Sequence, residues 1–506
     1  MSETFISYGV KREQSVNNEP QSSPSLFILV VALAIVAAFA FQGSRGLYET
    51  TEGRYAEAAR EMVETGNYLV PTLDYQPHWT KPPLAYWGIA AGIFICGQNE
   101  WGVRLFNILS FFITVILVMA LGAILWEQRI GILAGLVYLS SPFPFFGSNV
   151  VSTDTLLTLW EVGAVFCYFK AYSEEGATKK AAWIIAMWIV FGLGFLTKGP
   201  PSLLPLIPIL IWNYTRKNKV ALFKSLGIPL FLVIGFSWFI AVCIQNPHLV
   251  TYYLKTEVVD RVSSTAVHNP EWYAPFTIYS PVLLAGQGAW LYFSARGLWK
   301  TMRLGPRKVI SFLRDNEEGL FTVLWITIPL VIFCLSRSRL ELYVLPLYAP
   351  IALLIAHWIV RHEVISWRRI ALVGFVSVLF LSAFRLAIAH FPNRNNMKQV
   401  FAMSNELGSR NREYFVFGED KLYGMQYYLN GAMQRVTIKG KEPWADASIA
   451  DLLSSLDGER MDVEYLVLSS TQRAPFFERA LTSPHMDVQK RGNSQWVWFR
   501  ITKKNP

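Results

Sequence analysis

The chain has 506 residues, 53% hydrophobic, 15% aromatic and only 16% charged, with a formal net charge of +10. Soluble domains carry roughly 25% charged residues, and here long apolar stretches recur from Leu26 to about His390, which excludes a soluble enzyme with one anchor. The runs are continuously apolar rather than alternating, which excludes a β-barrel. The basic residues cluster between the runs (Arg216/Lys217/Lys219/Lys224, Arg296 to Arg314, Arg361/Arg368/Arg369), the pattern that orients helices rather than a nucleic-acid surface.

In chain order, residues 1–25 read as a polar cytoplasmic tail anchored by Lys11 and Arg12. The run 26–41 fits a first spanning helix or a signal-peptide core ending in Ala38-Phe39-Ala40; the long polar leader favours the uncleaved helix. Either way the segment from Gln42 emerges on the outside. The following loop, 43–103, predicts two juxtamembrane helices. Thr51 caps one, opened by Glu52, whose apolar face is Tyr55, Ala58, Ala59, Met62 and Val63, ending at Gly66. The other starts at Pro82/Pro83, and Leu84–Cys96 is too short to cross a bilayer, which needs about 20 residues.

With that segment not spanning, eleven spans follow, near 26–43, 104–126, 130–147, 153–172, 181–197, 200–214, 224–245, 276–297, 319–336, 340–360 and 369–390. They place every basic cluster on the cytoplasmic side, whereas an extra span at Leu84–Cys96 would move the cluster from Arg296 to Arg314 outside. The transmembrane domain is thus 26–390. Residues 391–506 turn polar and predict a small periplasmic α/β domain, with strands at Tyr414–Phe417, Val463–Ser469 and Gln495–Ile501 and helices at Leu422–Leu429, Ala445–Leu456 and Thr471–Ala480. Cys96, Cys167, Cys243 and Cys334 lie in apolar runs and read as buried small hydrophobes.

The outer loops hold the ionisable residues closest to the membrane: Glu49, Glu52, Arg54, Glu57, Arg60 and Lys81 in the first, Asp154 and Lys198 at span ends, Glu257, Asp260, Arg261 and His268 in the long loop, and Arg337, Arg339 and Glu341 before a late span. Charges at membrane depth are costly, and acids and bases converging from five loops mark a site. Cations beside a membrane cavity suit a phosphate or diphosphate headgroup; carboxylates beside them suit a general base or a divalent ion. Together they fit group transfer from a lipid-phosphate donor.

Three segments carry a resemblance: Glu52-Gly53-Arg54-Tyr55-Ala56-Glu57-Ala58-Ala59-Arg60-Glu61-Met62, Gly66-Asn67-Tyr68-Leu69-Val70-Pro71, and Thr80-Lys81-Pro82-Pro83-Leu84-Ala85-Tyr86-Trp87. In order, they resemble the first periplasmic loop of the lipid A aminoarabinose transferases, within the protein O-mannosyltransferase superfamily of polyprenyl-phosphate-sugar glycosyltransferases. The likeness continues through Asp154, Leu196-Thr197-Lys198-Gly199, Glu257…Arg261…His268 and Ser336 to Tyr343. It implies the large membrane glycosyltransferase fold and an inverting transfer of one sugar from a polyprenyl monophosphate on the periplasmic face of a bacterial inner membrane. The implied acceptor is lipid A or another envelope glycan. Carried over by position, Lys81, Arg261, Lys198 and Arg339 would face the donor phosphate. Glu52 and Asp154 would be the catalytic carboxylates, Arg54, Glu57, Glu341 and Tyr343 would line the acceptor cavity, and His268 would lie near a metal.

Two departures bear on this. The family carries Asp-Glu where this chain has Thr51-Glu52, and a glutamate where it has Thr80. The second removes a presumed metal ligand beside Lys81, so no cofactor is expected to be required. A glycan ligase using a diphosphate donor is the nearest enzymatic alternative. A transporter would carry repeats and broken mid-membrane helices; no repeat is visible, and the charges gather at one face.

Overall fold

The computed structural model describes residues 24–49, 51–260, 268–303, 316–363, 365–391, 393, 395–408, 411–457, 463–481 and 486–503. Its first part is a helical bundle. Helices α1 (Pro24–Phe39), α2 (Thr51–Thr65), α3 (Leu84–Cys96), α4 (Glu100–Leu125), α5 (Gln128–Leu139), α6 (Thr153–Ser173), α7 (Ala177–Lys198), α8 (Leu206–Thr215) and α9 (Gly227–Gln245) are followed by α10 (Leu291–Arg303), α11 (Glu317–Leu335), α12 (Tyr348–His362) and α13 (Trp367–His390). Among the described residues six helical segments are long and apolar enough to cross a membrane: α4, α7, α9, α11, Glu341–His362 and α13. This is a multi-span membrane protein.

Helix α6 is long enough to span, yet it carries Asp154, Glu161 and Lys170. It is shielded by α4 and α7, which pack along it, and nearly its whole length is buried. Three expected continuous spans are interrupted. The one at 130–147 breaks at Ser140-Ser141-Pro142, where the serine hydroxyls donate back to Leu136 O (2.5 Å) and Val137 O (2.7 Å) and Trp290 donates to Ser140 (2.9 Å). The one at 200–214 begins with a tight turn at Pro200–Leu203. The one at 276–297 is split into short pieces by Pro281, Gly286 and Gly288, the last at φ 58°.

The loop 43–103 folds as two helices joined by a hairpin. Strands β1 (Thr72–Leu73) and β2 (Gln76–Pro77) pair antiparallel through Asp74 and Tyr75, both at positive φ. Neither turn residue is glycine, and Glu61 of α2 offsets the strain by accepting from Asp74 N (2.8 Å), Tyr75 N (3.1 Å) and the Thr72 hydroxyl (2.5 Å). This pins the segment that leads to Lys81.

The C-terminal part adds helices α14 (Met397–Asn405), α15 (Tyr423–Tyr428), α16 (Ile449–Asp457) and α17 (Ala474–Ala480) to a six-stranded sheet in the order β5-β4-β3-β6-β8-β7. Strands β3 (Arg412–Phe417), β4 (Gln434–Thr437), β5 (Ala447–Ser448) and β6 (Glu464–Ser470) run parallel, and β7 (Met486–Gly492) and β8 (Trp496–Lys503) close one edge antiparallel. Strands β3, β6 and β8 lie where strand-like runs were predicted. Strands β4, β5 and β7 were not read from the sequence: two are very short, and Met-Asp-Val-Gln-Lys-Arg-Gly is the charged pattern of an edge strand.

Helix α15 docks on the start of α2. Glu49 accepts from Gly424 N (2.6 Å) at the first turn of α15, Tyr428 donates to Glu100 (2.9 Å), and Leu47 N donates to the Tyr428 hydroxyl (2.8 Å). A Cβ on Gly53 would lie 2.3 Å from Gly424 N, so the glycine following Glu52 is required by contact of two backbones.

Candidate active site

Where α7 ends, Lys198 is followed by Gly199 at φ 73° and by Pro200-Pro201. The positive φ requires glycine, and the prolines stop the helix, so the lysine is held at a stiff corner. Its ammonium pairs with Asp154, which lies in the first turn of α6 behind the N-cap Ser152. The same ammonium stands 4.4 Å from the centroid of the Tyr343 ring. Three elements far apart in sequence thus meet at one cation. Tyr55 of α2 closes the group from the loop side, bonded to Thr153 and facing Asp154 and Lys198.

Beside this pair lies a cavity of 650 Å³. Its polar end is formed by Lys81, Lys198, Glu257, Tyr343 and the hydroxyl residues Thr80, Ser336 and Ser338. Lys81 Nζ lies 3.5 Å from the Glu257 carboxylate, which is carried on the wide helical turn Tyr252–Val259. The rest of the wall is apolar, including Leu157, Phe195, Phe239, Ile240, Val250 and Leu254. Ile240, Val250 and Leu254 are 56%, 48% and 64% exposed, so this end opens sideways toward lipid. A cationic head and an apolar flank open to the bilayer accommodate an amphiphile with an anionic headgroup.

The structure separates the residues that the sequence grouped. Lys81, Lys198 and Tyr343 line the cavity, and Asp154 stands behind them, paired with Lys198. Arg261 lies outside the described residues. Glu52 requires a correction: it is 1% exposed and bound by Arg45 (2.6 and 3.0 Å), Tyr48 N (2.9 Å), Val151 N (3.1 Å) and Arg104 (3.3 Å). Burial alone would raise its pKa, but the two guanidinium groups hold it down at about 2. It is therefore a structural anion joining the loop to α4 and the 149–151 turn, not a base.

Arg339 is corrected in the same way. Its guanidinium donates to the carbonyls of Asn269 (3.0 Å), Glu271 (2.9 Å) and Cys334 (2.9 Å), which ties two loops together and leaves it outside the cavity lining. Glu57 is not in the cavity either; it pairs with Arg60 (2.8 Å) beneath the C-terminal domain, where burial raises it to about 7. Arg54 adjoins His78, Tyr86 and Tyr423. Glu341 is exposed at the start of its helix.

His268 is exposed, and its carbonyl accepts from Arg339 N (2.9 Å). His78 pairs with the Thr80 hydroxyl (2.7 Å), and burial, then Arg54 and Lys81, lowers it to about 4. Among the described residues no three His, Cys, Asp or Glu side chains converge as a metal site. Among the described residues none assembles a ligand set around His268.

Two groups were given no role from the sequence. Glu257 was named there among the outer-loop charges, and its place four residues before Arg261, the spacing of one helical face, was the available signal. Glu161 lies two turns along α6 from Asp154, 3% exposed, near Lys198, with one carboxylate oxygen lacking a partner among the described residues.

Fold and site together define a polytopic membrane protein with a lysine-headed, laterally open cavity. The same fold is found in a solved structure. The crystal structure of ArnT from Cupriavidus metallidurans bound to undecaprenyl phosphate superposes with a TM-score of 0.76 at 18% identity, covering 95% of this chain and 98% of that one. Its apo form gives 0.74 at 16% identity, with the same coverage. The resemblance read from the first loop holds. Residues 80–244 match the dolichyl-phosphate-mannose-protein mannosyltransferase family. The chain is 30% identical over 319 residues to the undecaprenyl phosphate-alpha-4-amino-4-deoxy-L-arabinose arabinosyl transferase of Erwinia tasmaniensis, covering 62% of this chain and 55% of the relative. It is 29% identical over 371 residues to the enzyme of that name from Pectobacterium atrosepticum, covering 72% and 64%. These matches span little more than half to just under two thirds of the relatives' length.

Proposed function

We propose that this protein is a glycosyltransferase that moves one sugar from a polyprenyl phosphate, bound in the 650 Å³ cavity, to an acceptor at the membrane surface. The observation that carries the reading is the pairing of Lys81 and Lys198 at the polar end of a cavity whose apolar wall opens to the bilayer. The donor phosphate sits between the two ammonium groups and the prenyl chain leaves over Ile240, Val250 and Leu254. The names of the relatives agree with a lipid-phosphate sugar donor.

The acceptor oxygen attacks the anomeric carbon opposite the phosphate. The carbon–oxygen bond to the phosphate breaks, its electron pair stays on the phosphate oxygen, and configuration inverts. Lys81 and Lys198 stabilise the charge that develops there, each contributing about 2–4 kcal/mol as a preorganised cation. A hydroxyl acceptor passes its proton to Asp154, which is released as Lys198 turns to the phosphate. A phosphate-oxygen acceptor needs no base.

The resemblance extends the reading to a bacterial inner membrane, eleven spans, a periplasmic active site and C-terminal domain, and a lipid A or other envelope-glycan acceptor. Loss of one sugar from lipid A or envelope glycans on deletion of the gene, read by mass spectrometry, tests the acceptor. Inhibition of transfer by polyprenyl monophosphate in preference to diphosphate tests the donor; the opposite preference would overturn it. A reporter fused after Asn393 that is active only in the cytoplasm would overturn the orientation.

A further inference from the structure

A second cavity, of 630 Å³, lies at the far end of the bundle from the two lysines of the active site. It forms where α8 ends at Thr215 and the chain turns through residues 216–226 into α9. Helix α9 begins at this end with Gly227 and reaches the first cavity at Cys243, about 24 Å away at 1.5 Å per residue.

The turn that walls this cavity is fixed by buried partners. Asn213 treats Val220 as a strand neighbour would, accepting from its N–H (2.9 Å) and donating to its carbonyl (3.1 Å). Tyr168 of α6 donates to the same Asn213 oxygen (3.1 Å), and Trp188 of α7 donates to Leu222 O (2.8 Å). Val220 and Leu222 are buried beneath the turn. The cavity is therefore formed before any ligand arrives, and its ordering entropy is already spent.

Its lining is apolar apart from Asn213, Tyr214, Thr215 and two cations, Lys219 and Lys224. Lys219 Nζ stands 4.6 Å from the Tyr214 ring centroid. The neighbouring Arg216 is neutralised by Glu317, whereas among the described residues neither lysine of the lining has a carboxylate at ion-pair distance. Phe223 and Tyr214 are exposed on the outer side, level with the end of an apolar helix, so the cavity faces lipid. A preformed apolar slot with two uncompensated cations at its rim matches a molecule with acyl chains and an anionic phosphodiester.

We propose that this cavity binds an anionic phospholipid of the leaflet opposite the catalytic mouth, its phosphate between Lys219 and Lys224 and one acyl chain along Leu210, Ile211 and Phe223. The inference rests on no part of the transfer reading. The test uses the full-length protein in neutral detergent and native mass spectrometry, with phosphatidylglycerol against phosphatidylethanolamine of the same chains. One phosphatidylglycerol should be retained in at least tenfold preference. The double variant K219Q/K224Q should weaken it about thirtyfold, at roughly one lysine's surface attraction each. A221W keeps both lysines, fills the slot and should also lose the lipid, while melting temperature reports that each variant is folded. Equal retention of the two lipids, or unchanged retention in the double glutamine variant, would overturn the proposal. So would unchanged retention in A221W, which marks surface charge alone.

Discussion

Lys198 and Asp154 form a buried ion pair between the end of α7 and the beginning of α6, each side chain 9% exposed, with the Tyr343 ring against the ammonium. Desolvation makes such a pair costly unless both members are present, so neither residue is independent of the other. Lys198→Met and Asp154→Asn should each lower transfer by about a hundredfold. In thermal unfolding, the double variant should be less destabilised than the sum of the singles by about 1–3 kcal/mol. Additive losses would mean that the two groups do not interact.

Lys81 precedes Pro82-Pro83, whose ring disfavours a helical backbone at the lysine, and its side chain lines the cavity. Lys81→Met should cut turnover by about a hundredfold while the protein still inserts, and Lys81→Arg should restore only part of it, because a planar fork does not reproduce a point charge. Glu257 holds Lys81 at 3.5 Å and competes with a phosphate. Glu257→Gln should therefore lower the donor KM severalfold with little change in kcat. A fall in kcat alone would assign Glu257 to proton transfer instead.

Glu52 predicts a stability effect rather than a chemical one. Its replacement by Gln leaves Arg45 and Arg104 without their anion in a buried site, a loss of about 3–5 kcal/mol. Since its folded pKa of about 2 lies below the ordinary value near 4.5, its contribution is complete above pH 4.5 and is lost as pH falls toward 2. Glu52→Gln should lower the melting temperature at pH 7, and protein that remains folded should keep its rate per molecule.

Glu49 has the opposite sign. Burial raises it to about 7 against the hydrogen bond from Gly424. The docking of α15 on the first loop is then strongest below about pH 4.5 and weakens as pH rises through 7. Glu49→Gln, which keeps an acceptor for Gly424, should flatten that dependence and stabilise docking at pH 8 by about 1–2 kcal/mol. Limited proteolysis between residues 393 and 411 across pH 5–8 would measure it.

With Thr80 beside Lys81 and no converging ligand set at His268 among the described residues, transfer should survive chelation. Complete loss in EDTA, restored by one divalent ion, would place a metal at this site.

The sequence by itself determined the membrane class, the two short helices of the first loop and the lysines fixed next to proline pairs, because these rest on local properties: run length, helical period and the stiffness of an X-Pro bond. It also located the central strands β3, β6 and β8, whose buried runs are apolar. It could not sort the charges. Glu52 and Asp154 look alike along the chain, and both are buried acids near a helix start. What distinguishes them is that Arg45, Arg104 and Val151 surround one while Lys198 and Tyr343 stand by the other, partners that for Asp154 lie 44 and 189 residues away in sequence. Arg339 was misplaced for the same reason, since its carbonyl partners come from loops whose approach no local pattern encodes. One break in the spans was likewise tertiary: Ser140 and Pro142 permit an interruption, and Trp290 from a distant segment braces it by donating to the Ser140 hydroxyl. Burial energy and the pairing of buried charge are properties of the assembled fold, and they decided which ionisable residues face the cavity and which hold it in shape.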